Sequence, residues 1–527
     1  MLVLKNWQVK KMYRLGIDVG GTNTDAVIID EKNLNVINSI KVSTTKDVYT
    51  GILNAIKKVF ENVDIDKNKI IKSMLGTTQC TNAIVERKNL SKIGIIRLGA
   101  PAAMAIKPMI DWSDEFREYV YDIALVKGGY EYDGKVLNEL DEEHVLEFLE
   151  SIKGKVSSVA ITGVFSSVRN EQEIRVRELV EKVLGKDIHT TLSSELGSLN
   201  LIERENACIL NSMLHGVAIN FTEGFEKALT SYGILNSKIY FSQNDGTLMS
   251  KENVKKYPIL TVACGPTNSI RGASYLSKLK NALIIDVGGT TTDIGVIVNE
   301  FPRESSLAVT IGGVKTNFRM PDIISVGLGG GSIVRELNGK ITVGPDSVGY
   351  DILTKSKVFG GDVITATDIA VRLGMFELGD KSKVMDISEE FAKNAMLEIK
   401  KIFENAIDSM KTGKDDVDVI LVGGGSIICP DKLDGTSNVF KPEHSQVANA
   451  IGSCISKISG NCEKLLSYND YKREEAIELT KNEAINNAIN AGADKNTIEV
   501  IDVEDFPLQY QTNNTYKVKV KVAGDII

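Results

Sequence analysis

A nine-residue segment occurs twice in this chain. Ile17-Asp18-Val19-Gly20-Gly21-Thr22-Asn23-Thr24-Asp25 returns as Ile285-Asp286-Val287-Gly288-Gly289-Thr290-Thr291-Thr292-Asp293, identical at eight of nine positions and displaced by 268 residues. A displacement of half the 527-residue chain implies two related lobes. Solenoid repeats have periods of about 20–50 residues. Each copy lies between two apolar runs, 15–19 and 26–29 in the first, 282–287 and 294–298 in the second. Run, Gly-Gly-Thr turn, run predicts a β-hairpin. Walker and Rossmann loops instead deliver phosphate to a helix N-terminus. Here Gly20, Gly21, Gly288 and Gly289 can bring turn N–H groups against phosphate oxygens. The hydroxyls of Thr22, Thr24, Thr290 and Thr291 add neutral hydrogen bonds, with Asn23 beside them in the first turn. Asp18 and Asp286 stand at strand ends, where a carboxylate can hold hydrated Mg²⁺. Ordinary hairpins with polar tips are the competing reading, and the duplication weighs against it.

Two glycine clusters follow the second copy. Gly329-Gly330-Gly331-Ser332 comes after the apolar run 323–326, and Gly423-Gly424-Gly425-Ser426 after 417–422, a buried-strand pattern. Strand then triple glycine suits close backbone approach to a purine or ribose, with a plain tight turn as the alternative. In series with the hairpins it reads as a nucleoside clamp. Gly374-Met375-Phe376-Glu377-Leu378-Gly379-Asp380-Lys381-Ser382 nearly spells a P-loop, but Asp380 breaks the spacing.

Segments 48–60, 142–152, 171–184 and 391–410 carry apolar residues at helical spacing, and 206–228 reads as a long, largely buried helix. Strands alternating with helices indicate an α/β chain with covered sheets. Beyond about residue 464 a helix over 474–490 and strands over 497–503 and 516–522 are expected. Sixty-two Lys and Arg against 70 Asp and Glu, with no basic stripe, argue against nucleic acid as a partner. No apolar run approaches the roughly 18 residues of a membrane span. Residues 1–11 are too mixed and short for a signal peptide, and Met12 is an alternative start because organised sequence begins at Tyr13. Six scattered cysteines without a CxxC read as reduced thiols of a cytoplasmic protein. Four histidines without paired spacing give no zinc site. His144 and His189 read as surface residues, and His215 as packed within its helix.

Hairpin, second hairpin and Gly-Gly-Gly turn, in that order, resemble the actin, heat-shock-protein and sugar-kinase superfamily. The chain as a whole is similar to the hydantoinase A / oxoprolinase family, including acetone-carboxylase-like subunits. The further residues carrying that likeness are Gly76-Thr77-Thr78, Thr81-Asn82-Ala83, Glu86-Arg87, Val164-Phe165-Ser166, Asn170-Glu171 and Glu203-Arg204-Glu205. They continue with Leu210-Asn211, Gln243-Asn244-Asp245-Gly246, Leu248-Met249-Ser250, Gly265-Pro266, Gly344-Pro345-Asp346-Ser347 and Thr367-Asp368. The resemblance implies two similar lobes of the actin-like ATPase (ribonuclease H-like) type flanking a nucleotide cleft, plus a small α+β C-terminal appendage. The expected division is 13–200, 201–463 and 464–527.

The implied chemistry is phosphorylation by ATP of the carbonyl oxygen of a hydantoin, 5-oxoproline or related cyclic amide, then ring opening by water. Such chemistry is mostly positioning and charge neutralisation. The implied partner is a second, hydantoinase-B-like subunit, in a hetero-oligomer built on a dimer. Asp18 and Asp286 would position Mg²⁺, and the turn residues of both hairpins would contact phosphates. Gly329, Gly330, Gly423, Gly424, Gly425 and Ser426 would complete the nucleotide site. Asp25 and Asp293 either orient the attacking group or cap their own loops. Thr77, Thr78 and Asn82 are candidate substrate residues with a turn role as the alternative, and Asp322 and Glu203 are outside candidates. Two departures bear on substrate: Leu75 stands where the family commonly has His, and residues 350–355 replace a Pro/Gly-rich stretch. Two other activities stay open, the ATP-using subunit of a ketone carboxylase and an ATP-driven reactivating factor acting on a protein.

Overall fold

The first apolar run becomes the strand Tyr13–Val19, whose last five residues are buried. It turns back into Asn23–Asp30, which pairs antiparallel with Val36–Ser43. On its other side it runs parallel to Ile70–Thr77, and that strand runs parallel to Lys238–Ser242. The second copy has the same arrangement. Ala282–Val287 is antiparallel to Thr292–Val298, which is antiparallel to Ile323–Val326. Ala282–Val287 is also parallel to Val417–Val422, itself parallel to Thr436–Phe440. The sequence repeat is thus the visible part of a repeated sheet. A computed structural model describes residues 11–45, 47–197, 199–305, 309–318, 320–508 and 514–527. The reading of 1–11 lies, apart from Lys11, outside them.

Between Ile70–Thr77 and Lys238–Ser242 the chain forms a parallel sheet in the order Val120–Lys127, Ile93–Ala100, Ser158–Gly163, His189–Leu192. Its central strands are buried at every residue and mostly apolar, as strands covered on both faces tend to be. The crossover helix Glu142–Ile152 starts on the Asp141 carboxylate, which accepts from His144 N at 3.1 Å, and buries Val145, Phe148, Leu149 and Ile152 at helical spacing. Glu171–Leu184 is the second expected helix, and the buried helix extends over Leu201–Tyr232.

Sheet pairing joins segments from all three expected regions. Lys238–Ser242 and Leu248–Ser250 sit in the first sheet. Ile458–Ser467, Thr515–Gly524 and Glu499–Pro507 then extend it to nine strands. The residues after 464 therefore continue a sheet edge, with the helix Arg473–Asn490 packed on them.

Two helices absent from the sequence reading hold the sheets together. Cys264–Ser277 and Ala448–Ile455 cross with their backbones in contact. A Cβ on Gly272 would overlap the carbonyl of Ala448, and a Cβ on Gly452 the carbonyl of Asn268. Backbone cannot yield as a flexible side chain can, so Gly272→Val should cost about 1–3 kcal/mol or more through overpacking. A lowered midpoint of urea unfolding checks this, and an unchanged midpoint contradicts the crossing.

Candidate functional site

Both hairpin turns close in the same way. Gly20 N donates to Asn23 O at 3.0 Å, and Gly288 N to Thr291 O at 2.9 Å. Cross-strand register then sets Asp18 opposite Asp25 and Asp286 opposite Asp293. The third strand extends each row, with Lys41 opposite Asp25 and Ser325 opposite Asp293.

Consecutive residues of the helix Cys264–Ser277 reach the two duplicated aspartates. Asn268 Nδ2 donates to Asp18 Oδ1 at 3.1 Å, while Ser269 Oγ donates to Asp286 Oδ2. Asn449, on the crossing helix, donates to Asp18 Oδ2 at 3.4 Å, and its Oδ1 is a second acceptor for the Ser269 hydroxyl, whose one proton serves either it or Asp286. The two hairpins are therefore bridged by one helix, through the amide of Asn268 and the hydroxyl of Ser269. Burial raises the Asp18 carboxyl above its ordinary range, with Asn268, Asn449 and Lys41 opposing. Burial likewise raises Asp286, against Ser269 and Lys41. Asp25 is pushed to about 7 by burial, despite an ion pair with Lys41 at 2.5 Å, and Asp18 and Asp286 add to the rise. Asp293 rises to about 6 by burial, with Ser325 Oγ donating to it. Asn268 Oδ1 is buried with no hydrogen-bond partner among the described residues. No group of three or more His, Cys, Asp or Glu there is placed to ligate an ion together.

The glycine clusters lie against the second turn. Gly330 N donates to Gly288 O at 3.0 Å, Gly331 N to Gly289 O at 2.7 Å and Gly425 N to Val287 O at 2.8 Å. A Cβ on Gly329 would overlap the Gly289–Thr290 peptide, and one on Gly425 the carbonyl of Gly288. Gly423 has φ +87°, and a Cβ there would overlap Asp286. These glycines are thus demanded by neighbouring backbone. Gly21, Gly289 and Gly424 differ, since a Cβ on any of them meets no protein atom within 4 Å. Thr22, Asn23, Thr290 and Thr291 lie at least partly exposed at the tips, and Ser426 is half-buried. Thr24 is fully buried, its Oγ1 3.1 Å from Thr44 Oγ1.

Thr77, Thr78 and Asn82 lie beside the first hairpin, Thr77 being the partner of Val19 across the parallel strands. Thr78 N donates to Val19 O at 3.1 Å, and Asn82 Nδ2 reaches Thr78 Oγ1 at 3.4 Å. Other expected carboxylates are elsewhere engaged. Glu203 faces Lys315 at 3.7 Å and Asp322 faces Arg303 at 2.7 Å. Leu75 is buried in the core beneath the hairpin. Segment 374–380 is an exposed turn. His189 corrects the surface reading: it is half-buried and stacked on His215 at 4.0 Å, because Leu201–Tyr232 crosses the sheet edge there. Its pKa falls to about 3 through burial, then through His215 and Lys256.

Sequence reasoning missed Lys41, Asn268, Ser269 and Asn449. The legible signals were Gly265-Pro266 opening a helix, and the matching triplets Ile40-Lys41-Val42 and Ile324-Ser325-Val326 following the two hairpins at different distances.

Two family profiles match the chain, "Hydantoinase/oxoprolinase N-terminal region" over residues 14–184 and "Hydantoinase/oxoprolinase" over 204–380. The acetophenone carboxylase gamma subunit of Aromatoleum aromaticum is 26% identical over 68% of this chain and 53% of its own length. The caprolactamase subunit alpha of Pseudomonas jessenii is 25% identical over 69% of this chain and 55% of its own. The chain thus spans about half the length of these curated relatives. In fold it is similar to the crystal structure of the ATP-dependent caprolactamase from Pseudomonas jessenii, with TM-score 0.76, 18% identity, and coverage of 97% of this chain and 87% of that one. Among the described residues no helix is long and apolar enough to cross a membrane, and all six cysteines are unpaired and buried.

The raised Asp25 carboxyl gives stability a pH dependence. A carboxyl near 7 in the folded protein and near 3.9 unfolded favours folding fully at low pH, and that contribution is lost as pH rises through 7. Asp25→Asn should therefore gain on the wild type between pH 5 and pH 8. Urea midpoints of both proteins at the two pH values test this, and a pH-independent gap would contradict it.

Proposed function

We propose, on the premise that the chain belongs to the hydantoinase/oxoprolinase family, that it is the ATP-using subunit of a hydrolase that opens a cyclic amide. The observation carrying this reading is the bridge from Asp18 through Asn268 and its chain neighbour Ser269 to Asp286. It gathers two Gly-Gly-Thr turns and their carboxylates at one place, and the same strand order in both sheets supports two actin-like lobes around a nucleotide cleft. We retain 13–200, 201–463 and 464–527 as the proposed domains, with the last docked on the first sheet.

The residues fit hydrated Mg²⁺. Asp18 and Asp286 are bonded within the bridge by neutral amide and hydroxyl groups, while burial works against their charge. The buried Asn268 Oδ1 offers an acceptor beside them. Mg²⁺ is commonly held by one or two carboxylates with retained waters. ATP, when bound, supplies the phosphoryl group that activates the amide carbonyl towards water. The chain's own contribution is positional. Gly20, Gly21, Thr22 and Asn23 of the first hairpin and Gly288, Gly289, Thr290 and Thr291 of the second are the phosphate-binding turns of this reading. Gly329, Gly330 and Gly423 to Ser426 hold the second turn in register and leave Gly424 open towards the nucleoside. Asp25 and Asp293 sit opposite the metal carboxylates, poised to orient the attacking group. Thr77, Thr78 and Asn82 flank the first turn on the substrate side. The subunit names of both relatives support a partner chain, and the reading takes that partner as hydantoinase-B-like and the assembly as a cytoplasmic hetero-oligomer.

A second reading, the ATP-using subunit of a ketone carboxylase, is favoured by the likeness to an acetophenone carboxylase subunit. ADP release from Mg·ATP, measured with hydantoin, 5-oxoproline, caprolactam, and ketones with bicarbonate, separates the two. Ring-opened product with an amide supports the hydrolase, and bicarbonate-dependent turnover of a ketone replaces it with the carboxylase. Asp286→Ala should lower turnover on the order of 10²–10³-fold if it acts electrostatically. Wild-type turnover in that variant would sink its assignment.

A further inference from the structure

The repeated sheets differ at one position in the row of charged residues. In the first, Asp18, Asp25 and Lys41 are successive cross-strand partners; in the second, Asp286, Asp293 and Ser325 are. The flanking residues agree, Ile40 and Val42 against Ile324 and Val326, so the third strands are equivalent. A side chain facing its cross-strand neighbour on the same sheet face is close enough to interact with it. Each third strand accordingly serves its aspartate. Ser325 supplies a neutral donor to Asp293, whereas Lys41 brings a full positive charge to Asp25.

That charge is not confined to Asp25. Lys41 acts electrostatically on Asp18, Asp25 and Asp286, so its ammonium lies within the field of both hairpins. Its side chain remains 32% exposed, while that of Asp25 is 6% exposed. The ammonium has three donors, and the carboxylate need not use them all. A long, flexible stem carrying a point charge is suited to a phosphoryl group whose oxygens move during transfer.

We propose that Lys41 is a catalytic residue of the first lobe, donating to the terminal phosphoryl oxygens of a bound nucleoside triphosphate, and that the Lys41/Ser325 difference assigns the two hairpins different tasks. The inference rests on the nucleotide reading above. The first hairpin, with Lys41, attends the group being transferred; the second, with Ser325, attends the part of the nucleotide that stays behind. Duplicated loops of equal sequence thereby form an asymmetric site.

Calorimetric titration with Mg·ADP and with Mg·ADP plus aluminium fluoride tests this without requiring turnover or a partner subunit. In Lys41→Met the affinity for Mg·ADP should stay within about threefold of wild type. The affinity for the aluminium fluoride complex should fall about 10–100-fold, the worth of one charge-assisted hydrogen bond. Lys41→Arg should restore most of that loss. Because Lys41→Met leaves Asp25 buried without its cation, Lys41→Met/Asp25→Asn serves as the variant free of that penalty, with the same selective loss expected. Equal weakening of both ligands, or weakening of neither, overturns the assignment while leaving nucleotide binding intact. Wild-type protein that binds neither ligand brings down the nucleotide reading, and Lys41 with it.

Discussion

The bridge between Asp18 and Asp286 is the interaction on which the site depends. Each aspartate ends a strand of a different sheet, and each is buried where its charge is opposed. An isolated buried carboxylate is costly, and such groups need hydrogen bonds from their surroundings. Asn268, Ser269 and Asn449 supply them from two helices whose crossing brings backbone to backbone at Gly272 and Gly452. The small residues at the crossing and the polar residues beside it are therefore one arrangement. A Cβ at Gly452 would meet the carbonyl of Asn268, the residue whose side chain donates to Asp18.

Much of the fold was legible because it rests on local pattern. Buried parallel strands read as continuous apolar runs, and Val417–Val422 and Ala282–Val287 were bounded correctly on that ground. The helices Glu142–Ile152 and Glu171–Leu184 announced themselves through apolar spacing and acidic first turns. The crossing helices did not. Cys264–Ser277 is almost wholly buried and rich in Gly, Ser, Thr and Asn, so it lacks the polar outer face that reveals a surface helix. Ala448–Ile455 is too short for periodicity to show.

The glycine triplets show a different limit. Their composition pointed correctly to close approach, but a sequence does not say what approaches. Gly329, Gly423 and Gly425 lie against the second hairpin's own backbone and Asp286, so they shape the turn that would meet a ligand. Thr367 completes the support, its Oγ1 donating to Gly330 O at 2.8 Å. Glu203-Arg204-Glu205 similarly proves architectural in part: Arg204 and Glu205 are fully buried, and Glu205 pairs with Arg97. The sheet edge built from residues after 458 was hidden for another reason, since strand pairing across more than 200 residues leaves no local trace.

Hydrogen–deuterium exchange of the purified chain, with and without Mg·ATP, tests the central claim most directly. The account predicts that nucleotide slows exchange together in residues 18–25, 286–293 and 423–426, and in both crossing helices, because one bridge ties them to one site. Protection confined to a single hairpin, or falling outside these segments altogether, would contradict it.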